Sequence, residues 1–440
     1  MALVQAYQNN PQINAQRALV RATDENVPQA LAGYRPRVTG TYNYGIAVSE
    51  TTTEVQVIAP VGTVGSRTRQ VSTFTPAAYG ATISQTLFNG FQTGNRTRQA
   101  EAQVFGARET LRTIEQTVLL DAATAYMNVL RDSAIYDLQK RNVEVLQEQL
   151  RQTRDRFNVG EVTRTDVAQA ESRVAAGQSQ MLTAQANLTT SRAVYRRVIG
   201  LDPGKLTAGT PVDRLSPRTL DLAVAQGQTE NPSVNAAEYG VDVAQLQVKV
   251  NEGALYPTVT VTGSAQQAYN QSDSLMRSMS ASIIGQLTVP IYQGGSEYSL
   301  IRQAKETVGQ RRLELAINRD QARANVVQAW GQLDAAKAQI DATKSQVTAA
   351  EIALNGVREE ARVGQRTTLD VLNAQQELVN ARVALVTAQR DRVVASYALL
   401  SACGRLAIPV LGLQVPLYDP MVHYQQVRDA WIGIRTPDGR

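Results

Sequence analysis

The stretch Val159-Gly160-Glu161-Val162-Thr163-Arg164-Thr165-Asp166-Val167 returns 204 residues later as Val363-Gly364-Gln365-Arg366-Thr367-Thr368-Leu369-Asp370-Val371. In both copies Val-Gly ends a helical pattern, because glycine accepts the left-handed conformation that closes a helix. In both, Thr-x-x-Asp then opens a new helix in the manner of a capping box, with Asp in place of the usual Glu. Working outward from this point keeps the register. Leu87-Phe88-Asn89-Gly90 answers Ile291-Tyr292-Gln293-Gly294, and Arg98-Gln99-Ala100 answers Arg302-Gln303-Ala304. Ala125-Tyr126 answers Ala329-Trp330, Thr183-Ala184-Gln185 answers Thr387-Ala388-Gln389, and Gly200 answers Gly404. Further upstream, Asn10-Pro11 matches Asn231-Pro232 and Pro36-x-Val38-Thr39 matches Pro257-x-Val259-Thr260, now at an offset of 221. The two offsets differ by 17 residues, which the first copy carries between Thr39 and Leu87. An insertion that leaves both flanks in register is expected in a loop. The chain is therefore read as a tandem duplication, with repeats over 1–210 and 211–405 and a tail over 406–440.

No proline occurs between Pro76 and Pro203, or between Pro290 and Pro409. Proline breaks helix interiors, so these spans permit very long helices. Ala100, Val104, Ala107, Leu111, Ile114 and Val118 alternate in steps of four and three, a heptad-like seam between helices. Each repeat is predicted to hold one helical hairpin, over 94–200 and 296–404. Its long arm has about 60 residues, or roughly 90 Å at 1.5 Å per residue, and its return arm is shorter. A further helix is expected over 233–254, stacked on the return arm beside the long one. Its counterpart in the first repeat contains Pro28, which predicts a break near Val27.

Ahead of each hairpin lie two alternating stretches, near 35–49 and 77–88, and near 257–266 and 279–290. Val38, Tyr42, Tyr44, Ile46 and Val48 oppose Thr39, Thr41, Asn43 and Ser49, while Tyr79, Ala81, Ile83 and Leu87 oppose Thr82, Ser84 and Thr86. In the second repeat Val259 and Val261 oppose Thr258, Thr260 and Thr262. Ala281, Ile283, Leu287 and Val289 oppose Ser280, Ser282, Gln286 and Thr288, with Ile284 an exception. Period two predicts strands. A half-buried soluble sheet has this pattern. So does a membrane sheet with lipid on one face and a water-filled lumen on the other, which suits a polar face of small hydroxyls and amides. Four strands cannot close a barrel alone, so that second reading needs several copies of the chain.

Composition removes other classes. Among 440 residues only 5% are aromatic, which argues for an elongated molecule. The 44 Lys and Arg against 39 Asp and Glu leave a net charge of +5 with no basic run of the kind that binds nucleic acid. One cysteine, Cys403, and one histidine, His423, exclude an intrachain disulfide and a Cys/His metal cluster. No catalytic constellation, cofactor motif or phosphate-cradling loop is found, so the chain is read as no enzyme. It has no apolar run long enough for a transmembrane helix and no signal-peptide pattern at its start. Two readings remain from the residues: a membrane duct, and a soluble coiled-coil scaffold without a pore.

The sequence resembles the TolC-like outer-membrane efflux protein family, or outer membrane factors, from Ala6-Tyr7-Gln8-Asn9-Asn10-Pro11 to Ala402-Cys403-Gly404-Arg405. The duplicated units, Arg35-Pro36 before a strand, and Val363-Gly364 followed by Asp370-Val371-Leu372 carry the resemblance. It implies an α+β membrane protein, a homotrimer in which each chain gives four strands to a twelve-stranded outer-membrane β-barrel. A long periplasmic α-helical barrel would continue it, and a signal peptide would have been cleaved. The implied function is a passive exit duct of a tripartite efflux or type I secretion system, carrying drugs, small molecules or secreted proteins. The implied partners are a periplasmic adaptor (membrane fusion) protein, an inner-membrane ABC or RND-type transporter, and outer-membrane lipid.

The resemblance also implies site residues. Asp370 stands where the family narrows its tunnel with a ring of carboxylates, and Asn373 stands where a second carboxylate is usual, which weakens the ring. Arg366 matches an arginine that ties the inner hairpin to the outer one, with Thr165 and Asp166 as expected partners. The tyrosine often found in this latch is replaced by the Ala361-Arg362 neighbourhood. Val159, Gly160, Val363 and Gly364 would meet the adaptor at the hairpin tips. Cys403 is expected to be a packed thiol, and the tail is expected to pack outside the middle of the tunnel.

Overall fold

A computed structural model describes residues 1–60, 62–272, 275–437 and 439. The chain opens with α1 (Ala2–Asn9), α2 (Pro11–Asp24) and α3 (Asn26–Leu31), followed by β1 (Arg37–Tyr44), β2 (Ala47–Ala59), β3 (Gly62–Phe74) and β4 (Ala77–Asn89). Next come α4 (Gln92–Asn158), α5 (Arg164–Ile199), α6 (Leu220–Thr229) and α7 (Pro232–Gly253). Strands β5 (Thr258–Ser272) and β6 (Leu275–Thr288) lead to α8 (Ser296–Arg362), α9 (Thr368–Ala402) and α10 (Pro420–Val427). The long helices α4 and α8 each have 67 residues and lie 204 positions apart, about 100 Å of helix apiece. None of the described helices is long and apolar enough to cross a membrane.

The break expected near Val27 falls at Glu25, between α2 and α3. Pro28 lacks an N–H for the carbonyl of Asp24 and its ring crowds that carbonyl, so the ladder fails four residues upstream of the proline.

The chain divides into two compact units, and each draws on both repeats. The first comprises Met1–Thr23, Val104–Gly240 and Arg311–Val422. Its core gathers Ile13, Val20, Leu111, Val118, Leu119, Tyr195 and Ile199 with Leu400, Leu406 and Ile408, so the start of the tail is part of this core. A seam on α8 buries Ala322, Val326, Ala329, Leu333, Ala336, Ile340 and Thr343, stepping by four and three. Cys403 is fully buried here against Ala223, Val326 and Leu399.

The second unit comprises Asp24–Gln103, Val241–Gln310 and His423–Arg440, of which Val61, Asp273, Ser274, Asp438 and Arg440 lie outside the described residues. Its antiparallel sheet has the order β1-β4-β5-β6. The pairs Val38↔Ile83↔Gly263↔Ile283 and Tyr42↔Tyr79↔Gln267↔Met279 place Val38, Tyr42, Tyr79, Ile83, Met279 and Ile283 on one face, while Ile284, paired with Thr262, falls on the other. The opposite face carries Thr39, Thr82, Ser264 and Ser282, and Ser264 and Ser282 hydroxyls meet at 3.0 Å. A bulge at Leu87 sets Leu87 and Phe88 against Val259.

The 17-residue insertion, expected in a loop, forms a β-ribbon. Strands β2 and β3 continue the β1–β4 hairpin in unbroken register, Tyr44↔Ala77 followed by Ala47↔Phe74, past a junction where Gly45 N–H donates to the Pro76 carbonyl at 3.1 Å. Arg69 binds Glu50 and Arg67 binds Glu54 along the ribbon.

Candidate functional site

Both hairpin tips close by the same backbone device. Gly160 and Gly364 have φ of 79° and 82°, where an L side chain is strained. Glu161 N–H then reaches back to Arg156 O at 2.9 Å, and Gln365 N–H to Glu360 O at 2.9 Å, which is the Schellman closure. Val159 and Val363 project into solvent, 72% and 66% exposed.

Each return arm restarts with a complete capping box. Thr163 N–H donates to Asp166 Oδ2 at 2.8 Å, and Asp166 N–H donates to Thr163 Oγ1 at 3.3 Å. In the second copy Thr367 N–H donates to Asp370 Oδ2 at 3.0 Å, and Asp370 N–H to Thr367 Oγ1 at 3.2 Å. The backbone and hydroxyl of Thr367 hold the Asp370 carboxyl below the usual carboxylate range, with a smaller contribution from Arg366. The hydroxyl and backbone of Thr163 do the same for Asp166. Both aspartates are therefore anionic at neutral pH while one oxygen of each is occupied in the cap.

The two tips line one cleft of about 1020 Å³, with Thr163, Asp166, Gly364, Arg366, Thr367 and Val371 among its walls. Within the chain, Arg366 is paired inside its own hairpin. Its Nε donates to Glu360 Oε2 at 2.9 Å, within its own hairpin, rather than to Thr165 or Asp166. The physical reason is local. Glu360 lies just across the tight turn from Arg366, whereas Asp166 is committed to its own helix N-terminus. The Arg366–Glu360 pair is about half exposed on both sides, so solvent screens it strongly.

The hairpins meet away from the tips, about one turn into α9 and about two to three turns into the α4–α5 hairpin. Leu146 and Leu150 of α4, Val174 of α5 and Leu372 of α9 form an apolar contact. Directly beside it, Arg173 Nη2 donates to Asn373 Oδ1 at 2.6 Å. Farther along α9, Gln375 Nε2 donates to Asn142 Oδ1 at 3.5 Å and Arg390 Nε to Asn128 Oδ1 at 2.8 Å. In each bond one hairpin supplies a neutral amide oxygen. Sequence reasoning had singled out Asn373 but missed Arg173, Asn142, Gln375, Asn128 and Arg390. Only Asn373 carried a signal, as an amide at a position where a carboxylate is usual.

A profile of the family described as "Outer membrane efflux protein" matches residues 2–201 and 224–405. The outer membrane efflux protein BepC of Brucella suis biovar 1 is 44% identical over 440 residues, all of this chain and 92% of that protein. The alkaline protease secretion protein AprF of Pseudomonas aeruginosa is 25% identical over 401 residues, 89% of this chain and 81% of that protein. Among solved structures, the Campylobacter jejuni CmeC outer membrane channel superposes with a TM-score of 0.78 at 16% identity, over 97% of this chain and 88% of that one, a likeness of fold. Four strands per chain joined to paired long helices are the fold class of these channels. With the profile spanning both repeats and a full-length relative at 44% identity, the chain belongs to the outer membrane efflux protein family.

Proposed function

We propose that this chain is one third of an outer-membrane exit duct for efflux or type I secretion, and that the joint between its two hairpins sets the resting state of the duct. The observation that carries this reading is the four-stranded sheet. One face is apolar and largely uncovered, with Ile283 84% exposed, and the other is polar and small. Strands β1 and β6 end the sheet with unpaired edges. A lipid-facing sheet cannot leave backbone groups unpaired in hydrocarbon, so the edges must pair with other copies. Two copies would give about eight strands, whose interior side chains fill. Three copies give twelve and leave a lumen, lined by the Thr and Ser face. The 13 residues of β4 span about 43 Å, enough at a tilt of about 40° for an apolar band of about 25 Å.

Tyr42, Tyr44, Tyr79 and Tyr269 bound that band at one end and Phe88 and Phe91 at the other, as aromatic residues do at membrane interfaces. The long polar helices then lie on the periplasmic side. There the Asp370 carboxylates, three per trimer, narrow the lumen, with Asn373 one turn on contributing no charge. Val159, Gly160, Val363 and Gly364 offer an exposed, side-chain-poor surface to a periplasmic adaptor, which links the duct to an energised inner-membrane transporter. The Arg173–Asn373 bond takes the tying role that the family resemblance assigns to Arg366, Thr165 and Asp166. The assembly is tested by native mass spectrometry of detergent-extracted protein. A trimer supports the reading, and a monomer that stays soluble without detergent refutes it.

A further inference from the structure

The segment after α10 exposes large apolar side chains in a short run: Trp431 is 68% exposed, Ile432 96% and Ile434 101%. It is held in place rather than trailing. Within the second unit, His423 Nδ1 lies 3.0 Å from Asp24 Oδ2, and Arg428 Nη2 lies 3.7 Å from Glu101 Oε1. Arg35 Nη1 donates to the carbonyl of Ala430 at 2.6 Å, and its guanidinium sits 4.8 Å from the centroid of the Trp431 ring. The segment is thus fastened by Arg35, two residues before β1.

The location of Arg35 follows from its neighbour. The carbonyl of Tyr34 accepts a hydrogen bond from Gln85 Nε2 at 3.0 Å. Gln85 pairs with Val261 and shares its face with Ile83 and Gly263, the apolar face of the sheet. Residues 34 and 35 therefore lie on the apolar side of the sheet, at the end of β4 nearest the helices. Phe88 and Phe91 stand at the same end, edge to face at 5.2 Å. Trp431, stacked on Arg35, lies toward this same end of the sheet.

We infer that Trp431–Ile434 is a membrane-interface anchor whose partner is the periplasmic leaflet of the outer membrane. This rests on the reading of the sheet as a lipid-facing barrel wall, because that reading puts the helix end of the strands at the periplasmic boundary of the bilayer. Tryptophan is the side chain that settles at the headgroup level, with its ring in the acyl boundary and its N–H toward water. Ile432 and Ile434 add apolar area with no protein surface on it, and an interfacial segment binds in proportion to such area. Arg35 on one side and Arg435 on the other place cations where lipid phosphates lie. The anchor would fix the level of the helices against the bilayer from outside the barrel wall.

The test uses the full-length trimer in phosphatidylcholine vesicles, with and without brominated acyl chains, which quench indole fluorescence on contact. The chain has two tryptophans, so Trp330→Phe isolates Trp431. A reporter for the barrel wall is made separately as Ile283→Trp in a Trp330→Phe, Trp431→Phe background. The expected result is a loss of Trp431 emission in brominated vesicles comparable to that of the barrel reporter. Quenching of the barrel reporter with Trp431 unaffected would overturn the anchor and leave the barrel standing. Quenching of neither would overturn both.

Discussion

Replacing Asn373 by alanine should loosen the joint between the hairpins and raise resting leakage through the duct. The Arg173–Asn373 bond is short, 2.6 Å, and its donor is charged. Such a bond is worth about 1.5–3 kcal/mol when shielded. Arg173 is half-buried and Asn373 exposed, so solvent screening lowers the figure to about 1 kcal/mol. A trimer carries three of these bonds, and opening that breaks all three together is opposed by about 3 kcal/mol. At about 1.4 kcal/mol per factor of ten, removing them shifts the closed-to-open ratio by about 100-fold. The assay is the release rate of an entrapped dye from vesicles holding the wild-type, Arg173→Ala, Asn373→Ala and double-variant trimers. Both single variants should leak faster by a similar factor, and the double variant should leak no faster than either, because the second change removes a bond already broken. Unchanged release in both singles, or a double variant whose effect is the product of the two, would refute the assignment.

Other consequences are local. Gly200 and Gly404 hold equivalent positions and both have positive φ, 90° and 76°, but only Gly404 is crowded. A Cβ there would lie 2.5 Å from the Glu230 carbonyl oxygen and 2.7 Å from Asn231 Cα, whereas nothing lies within 4 Å at Gly200. Gly200→Ala should cost about 1–2 kcal/mol from the left-handed backbone alone. Gly404→Ala should cost distinctly more, read as the larger fall in thermal midpoint of the detergent-solubilised trimer. The capping aspartates give a pH signature. Their folded pKa values are depressed below the unfolded value of about 3.9, so the stabilisation is complete above that pH and is lost as pH falls through the folded value. Amide exchange at the starts of α5 and α9, corrected for intrinsic rates, should accelerate below about pH 4 in the wild type, and Asp370→Ala should abolish the change in α9 alone. Burial pushes the Cys403 thiol up to about 11. Iodoacetamide at about pH 8, just under the free-thiol pKa, should leave Cys403 unmodified until the protein is unfolded.

The helices were legible because long proline-free spans carry a seam that steps by four and three, and because Gly and Thr-x-x-Asp mark the tips twice. The four sheet strands were legible because apolar and small polar residues alternate along each, so Tyr42 and Thr41 point opposite ways. The ribbon was not. Residues 48–55 of β2 and 67–71 of β3 are exposed on both faces, and Thr51-Thr52-Thr53 carries no alternation for a period-two reading to find. The position of the break in the first repeat needed the hydrogen-bond ladder, since Pro28 acts on the carbonyl of Asp24. At the tips, the capping roles of Asp166 and Asp370 could be read locally. The partner of Asn373 could not, because Arg173 is 200 residues away and reaches it only through the packing of α5 on α9.

The account's central claim is that three such sheets close into a conducting barrel whose far end is narrowed at the hairpin tips. Single-channel recording of the purified trimer in a planar bilayer tests it most directly. The account predicts discrete conductance steps of uniform size that grow when Asp370→Ala and Asn373→Ala are combined. A trimer that inserts in the bilayer yet carries no current in either form would contradict it.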